Sequence, residues 1–148
     1  MLEILVFSLG TARYALPSAD VDGLVRMVAT TPLPRAPAIV EGVIDVHGEI
    51  LPVLDVRARF GLAPRAPRLT DRLILAKTGG RRVALRCDDV TGLVRVEPNP
   101  GSLAHVGPAA SAQLAGVATL ADGLVLIHDL KTFLSEAEAE ALDAALSA

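Results

Sequence analysis

Ala15 to Met27 reads ALPSADVDGLVRM, and Ala84 to Val96, 69 residues further on, reads ALRCDDVTGLVRV. Ala15, Leu16, Asp20, Val21, Gly23, Leu24, Val25 and Arg26 meet their own kind in this alignment, eight of its thirteen positions. The same shift lays Gly10 on Gly79. At a shift of 74, Gly42-Val43 meets Gly116-Val117 and Asp55-Val56-Arg57 meets Asp129-Leu130-Lys131, so the five-residue change falls within Pro98 to Ala115. One strand pattern used twice in 148 residues predicts two similar small β-barrels related by a pseudo-twofold axis. Each barrel alone would hold about 65 residues, marginal for independent stability, so the two are expected to share a core along their seam.

Working outward, apolar residues alternate with polar ones in short runs bounded by Gly, Pro and Asp, which is the mark of strands. The runs are Glu3 to Leu9, Arg13 to Leu16, Gly23 to Ala29, Ile39 to Val46, Glu49 to Asp55, Leu73 to Lys77, Arg82 to Arg86, Gly92 to Glu97, Gly116 to Leu120 and Leu124 to His128. Ten short strands with short spacers specify barrels or a sandwich. His47-Gly48, Gly79-Gly80 and Asp122-Gly123 each stand between two apolar runs and predict hairpins, since glycine accepts positive φ without a steric penalty. Thr30 to Ala38 and Ala63 to Arg68 carry too many prolines for strands and read as exposed connections. Pro98 to Ala115 has no periodicity and reads as a mobile loop. The tail alone reads as a regular helix. Ser135 with Glu138 forms a capping box, and Leu142 and Leu146 make a narrow apolar stripe to lay on a barrel.

The composition narrows the function. Fourteen basic against seventeen acidic residues leave a net charge of -3, and aromatic residues are only Phe7, Tyr14, Phe60 and Phe133, with no tryptophan. Nucleic acid lacks both the cationic excess and the stacking platform it needs; the one candidate patch is Arg35, Arg65, Arg68, Arg81 and Arg82. A lone cysteine, Cys87, excludes an internal disulfide and a cysteine-based metal site, which fits the cytoplasm, and its place in a strand makes it a small core filler. The amino terminus has no basic region leading into an apolar stretch, so no secretion signal is expected. The longest uncharged run, Ser102 to Ala121, holds Pro108, Gln113 and His105 and makes a poor membrane helix, so no direct membrane insertion is expected.

Reactive constellations are missing. His47, His105 and His128 lie in separate segments without a second ligand at helical spacing, and no phosphate loop, nucleophile elbow or dinucleotide fingerprint occurs. His47 in a turn and His128 at a strand end read as surface histidines. Asp88-Asp89 resembles a carboxylate pair, but strand neighbours point to opposite faces, and Asp89 repeats Asp20, so a turn or capping role fits better. The reading is therefore a protein without catalysis, metal or cofactor. Aliphatic barrels rimmed by charge suit protein contacts.

Gly42-Val43-Ile44-Asp45-Val46-His47-Gly48-Glu49-Ile50-Leu51-Pro52-Val53-Leu54-Asp55-Val56-Arg57, followed by Arg59-Phe60-Gly61-Leu62, resembles the CheW family of bacterial chemotaxis coupling proteins. The likeness starts at Leu5-Val6-Phe7-Ser8-Leu9-Gly10, passes Tyr14-Ala15-Leu16-Pro17 and Leu33-Pro34-Arg35-Ala36-Pro37, and ends at Ile127-His128-Asp129-Leu130. It implies an all-β fold with short helices, made of two pseudo-symmetric five-stranded SH3-like β-barrels sharing a core, plus a C-terminal helix, with residues 1–148 as one such domain. It also implies a cytoplasmic adaptor, recruited to membrane receptor arrays, that joins a chemoreceptor signalling tip to the regulatory domain of a chemotaxis histidine kinase. Partner contact would then fall on Val21, Gly23 and Leu24, and on Gly42, Ile44, Asp45, His47, Gly48, Ile50, Pro52 and Val53 of the hairpin; for the aliphatic ones, core packing is the competing role.

Two departures bear on the partners. Many family members have Glu in Val-x-Glu-Ile where this chain has Val21-Asp22-Gly23-Leu24, and Asn-Leu-Arg-Gly where it has Asp45-Val46-His47-Gly48. An imidazole cannot reproduce the bidentate fork of an arginine. The departures leave open a related scaffold of a divergent, non-motility sensory pathway with different partners.

Overall fold

The computed structural model describes residues 2–97, 114–120 and 123–147. The ten expected strands are all present: β1 Leu2–Leu9, β2 Ala12–Pro17, β3 Val21–Arg26, β4 Val40–Val46, β5 Glu49–Leu54, β6 Arg72–Thr78, β7 Arg81–Cys87, β8 Asp89–Val96, β9 Leu114–Leu120 and β10 Gly123–His128. Among the described residues two helices accompany them, α1 Val56–Arg59 and α2 Glu136–Ser147, with short 3-10 turns at Ser18–Asp20 and Leu130–Thr132. The uncharged stretch after Pro98 and His105 lie outside the described residues, apart from β9.

The strands form two five-stranded sheets, in the orders β8-β1-β2-β10-β9 and β3-β6-β7-β5-β4. Replacing each strand of the first sheet by its repeat partner yields the second, so the pseudo-twofold relation read from the sequence holds strand by strand. The two repeats are not two barrels, however. β1 and β2 of the first repeat lie with β8, β9 and β10 of the second, while β6 and β7 lie with β3, β4 and β5. Each barrel is assembled from both halves of the chain. Even the bulges repeat: the pairing slips between Val21 and Gly23 on β6 and, 69 residues on, between Gly92 and Val90 on β1.

Strand alternation explains three cores. Ile4 and Val6 point into the first barrel with Ala15, Val96, Ala118, Val125 and Ile127, which come from all five of its strands. Leu73 and Leu75 do the same in the second barrel with Ile44, Leu51, Val53 and Ala84. The intervening residues of the same strands, Leu5 and Phe7 on β1 and Ile74 and Ala76 on β6, meet in the seam. β1 and β6 are thus buried on both faces, which is why they read as nearly unbroken apolar runs. Leu24, Ile74, Leu85 and Leu54 stand opposite one another across β3, β6, β7 and β5. The repeat-related residues Leu93, Leu5 and Leu16 do so across β8, β1 and β2. The seam covers the middle of both rows but leaves Leu24 46% and Leu93 60% exposed.

Side chains that close the ends of the strands also repeat. Asp55 caps α1 by accepting the Ala58 N–H at 3.2 Å, and Asp129 caps the second 3-10 turn by accepting the Lys131 N–H at 2.9 Å. Val56 and Leu130 follow them into the seam. The capping box of α2 forms as expected, Ser135 Oγ accepting the Glu138 N–H at 3.1 Å and Glu138 Oε1 accepting the Ser135 N–H at 2.9 Å. The buried stripe is Leu142 with Ala145, not Leu146, and ion pairs from Arg59 to Glu138 and from Arg81 to Asp143 tie the helix to α1 and β7. His128 departs from its expected surface place. It is buried, its ring stacked on Phe60 at 3.8 Å, because it occupies the end of the seam where the other repeat has Leu54.

Gly42 is needed inside β4 rather than in a turn. With φ of +156° it lies under the preceding loop, and a Cβ there would stand 2.6 Å from the Thr31 carbonyl oxygen, which accepts the Val43 N–H at 2.8 Å. We expect Gly42→Ala to cost about 1–3 kcal/mol through this backbone contact. Chemical denaturation measures it, and a change below about 0.5 kcal/mol would show that the loop moves aside freely.

Candidate interaction surface

The β4–β5 hairpin turns through His47 and Gly48, with φ of 51° and 87°. Positive φ at both central residues is the two-residue turn whose twist suits a hairpin, and histidine tolerates it better than a β-branched residue. Asp45 Oδ1 accepts the Gly48 N–H at 2.7 Å and holds the turn closed. His47 is therefore presented to solvent at a rigid tip.

Alternation then sorts the other candidates. Leu24, Asp45, His47, Gly48 and Ile50 are exposed, and Val21 and Gly23 are half-buried. Gly42, Ile44, Pro52 and Val53 are buried, with Ile44 and Val53 facing into the barrel interior. These four shape the surface from beneath and do not present it. Val25, Arg26 and Val28 meet Ile44 to His47 across a pocket of about 240 Å³, so the structure brings β3 and the hairpin tip together.

The electrostatics of this face are settled within the chain. Asp22 is the extra residue of the β3 bulge, and its carboxylate lies 3.2 Å from Arg82 Nε and 3.7 Å from Lys77. Arg82 also pairs with Glu49 on β5, strapping the outside of the barrel from β3 to the hairpin. Three of the five arginines that could have formed a nucleic-acid patch are spent in the same way: Arg65 faces Asp71 and Asp88, Arg81 faces Asp143 and Arg82 faces Asp22, while Arg68 lies only at the limit of contact with Asp71 and Asp88.

Asp88 is neither a catalytic pair with Asp89 nor only a turn residue. Its two carboxylate oxygens accept from Arg57 Nη2 at 2.8 and 3.1 Å, from Arg65 Nη2 at 2.5 Å, and from the Gly10 N–H of the β1–β2 turn at 2.6 Å. Asp71, with no exposed surface, binds Arg65 at 2.6 Å and Arg86 at 3.2 Å, and Arg86 forks onto Glu41. Burial works against both carboxylates, but the hydrogen bonds they accept outweigh it, holding Asp88 down at about 2 and Asp71 below its usual range. Cys87 beside them has its thiol pushed up to about 12, by burial first and by these carboxylates second, which leaves it an inert filler as expected.

Sequence reasoning passed over Val28, Leu69, Leu93 and Leu124, all exposed. For two of them the signal was in plain view, since Leu93 is the repeat of Leu24 and Leu124 that of Ile50.

Residues 3–138 match the CheW-like domain family. The chain belongs to that family. The probable chemotaxis protein CheW of Rhizobium etli is 26% identical over 145 residues, covering 94% of this chain and 91% of that protein. Protein FrzA of Myxococcus xanthus is 39% identical over 97 residues, 64% of this chain and 59% of that one. The crystal structure of the scaffolding protein TtCheW from Thermoanaerobacter tengcongensis superposes with a TM-score of 0.79 at 30% identity, covering 93% of this chain and 94% of that one. The SH3-like barrel pair of CheW is thus the fold of this chain. Among the described residues no group of His, Cys, Asp and Glu could hold a metal ion, and no helix is long and apolar enough to cross a membrane.

Proposed function

We propose that this CheW-like chain is a non-catalytic adaptor coupling the cytoplasmic signalling tip of a chemoreceptor to the regulatory domain of a chemotaxis-type histidine kinase, held at membrane receptor arrays from the cytoplasmic side. The observation that carries the reading is the repeat-related pair Leu24 and Leu93. Each is the uncovered end of an otherwise buried aliphatic row beside the seam, on a chain whose relatives include a scaffolding protein. Half-exposed leucines in register with a core contribute little to folding and are suited to accept an apolar helix. The rigid hairpin tip at His47, across the pocket from the β3 segment, supplies a further contact for a partner.

Gly23 and His47 favour a second reading within the same class, in which receptor and kinase differ from those of family members with Glu and Arg at these positions. The absent glutamate leaves Asp22 tied to Arg82 on the outside of the barrel, so the carboxylate nearest that position is already paired.

Binding of purified receptor signalling fragment and kinase regulatory domain is expected at roughly micromolar strength by calorimetry. Leu24→Asp and His47→Glu are each expected to weaken one of these complexes at least tenfold while the circular dichroism spectrum stays unchanged. Unaltered affinity for both partners in both variants would remove these residues from any interface and the reading with them.

A further inference from the structure

A second furrow lies where the chain leaving β3 meets the loop before β6, sharing Val28 with the pocket at the hairpin tip. Met27, Val28 and Ala29 form one wall and Pro67, Arg68 and Leu69 the other, around a concavity of about 260 Å³. Leu69 is 90% exposed, yet it does not sit on a slack loop. Arg68 and Asp71 close a turn around it, the Arg68 N–H donating to Asp71 Oδ2 at 2.9 Å and the Asp71 N–H to the Arg68 carbonyl at 3.0 Å. Arg65, wedged between Asp71 and Asp88, pins the same loop from behind, and its carbonyl accepts from Arg86 at 2.9 Å. A leucine held in water by a rigid turn gives nothing to the fold.

The rim of this furrow carries charge of one sign. Arg26 stands directly opposite Arg72 in the β3–β6 register, a like-charged cross-strand pair that destabilises a sheet. Among the described residues neither has a carboxylate within ion-pair distance; Arg72 reaches only the carbonyls of Thr70 and Asp71, at 3.0 and 3.3 Å. Arg68 adds a third cation, 56% exposed and only at the limit of contact with two carboxylates, Asp71 at 3.9 Å and Asp88 at 4.0 Å. Most other arginines of this net-acidic chain are paired, so uncompensated positive charge is concentrated beside exposed Val28 and Leu69.

We propose that this furrow docks an acidic amphipathic segment of a partner protein, apolar side chains packing on Val28 and Leu69 and a carboxylate bridging Arg26 and Arg72. Relief of the arginine repulsion and covering of the pinned leucine both act only in the complex, which makes the surface selective for acidic over basic segments. Arg26 and Val28 also border the pocket facing the hairpin tip, but neither Leu24 nor His47 lines the furrow, so the proposal does not depend on the adaptor reading.

The test is an NMR titration of the isotope-labelled full chain with a synthetic amphipathic peptide, leucines on one face and glutamates on the other, against the same peptide with lysines. Shifts confined to the Arg26–Thr30 and Arg68–Arg72 segments, weakening with added salt and absent for the lysine peptide, are expected. Arg26→Glu should weaken binding at least tenfold and Leu69→Ser severalfold, while Arg26→Glu leaves thermal stability equal or higher, because it turns the repulsive pair into an attractive one. Equal binding of both peptides, binding unaffected by either variant, or no shifts at millimolar peptide would overturn the proposal. So would binding of anionic phospholipid vesicles, but not of the acidic peptide, through the same arginines.

Discussion

Cut between Ala63 and Pro64, the chain is expected to give two fragments that are each unfolded alone and that recover the native spectrum when mixed. The cut falls in an exposed connection and separates the two repeats cleanly, so the repeat by itself would place one whole, marginally stable barrel in each fragment. The strand order predicts the opposite. In the first fragment β1 and β2 lose β8 on one side and β10 on the other, leaving Ile4, Val6 and Ala15 without the Val96, Val125 and Ile127 that complete their core. β3 loses β6, and β5 loses β7. What remains is two hairpins and a lone strand with their apolar faces in water, and isolated hairpins are marginal at best. Recovery on mixing follows because the missing partners are whole strands, paired over long registers such as Leu2 to Ser8 against Asp89 to Val96. The readout is dispersion of amide resonances for each fragment and for the equimolar mixture. A well-dispersed spectrum from the first fragment alone would mean that it forms a barrel of its own, contrary to the interleaved topology.

This exchange marks the boundary of what the residues could tell in advance. Alternation placed all ten strands because each barrel strand has one face in a core and the next residue elsewhere, and the repeat placed the pseudo-twofold because the same positions need the same residues. Which β1 pairs with which β8 is a different kind of information. It depends on long-range register, and both a contiguous and an interleaved pair of barrels satisfy the same alternation. The candidate surface divides along a similar line. His47 was legible as an exposed tip because Gly48 follows it. Ile44 and Val53 were not separable from Ile50, since a hairpin with one face in a core and one uncovered is apolar on both. The salt network was not legible: Arg57 closes the stretch that carries the family resemblance, but Arg65, Arg86, Glu41, Asp71 and Asp88 belong to no motif, and only folding brings these separate segments together.

That network makes the second large prediction, Asp71→Ala, which is expected to cost about 3–5 kcal/mol. The carboxylate has no exposed surface, and the Arg86 side chain it contacts is 4% exposed, so removing one partner leaves a charge that water cannot reach. Glu41 still holds Arg86 from the other side, which places the loss toward the lower end of the range. Asp143→Ala, which breaks the pair to Arg81, serves as the contrast: that aspartate is 62% exposed, and exposed pairs contribute about 0–1 kcal/mol. Acid should act on the same network. The Asp88 carboxyl is held at about 2, below its ordinary value of 3.8, so the native state binds its proton less readily than the unfolded chain does. Its contribution is complete above the unfolded value, falls away as pH drops from about 4 toward 2, and amounts to about 2 kcal/mol. Urea titrations at neutral pH and across that window measure both effects. Asp88→Asn should flatten the acid limb, since an amide has no proton to take up, and should lose stability at neutral pH, where the amide cannot replace a charge shared by Arg57 and Arg65. An Asp88→Asn variant as stable as the parent at pH 7, with an unchanged acid limb, would mean that the three side chains neutralise one another without holding the β1–β2 turn to the β7–β8 corner, and that the Gly10 N–H contact is incidental to the fold.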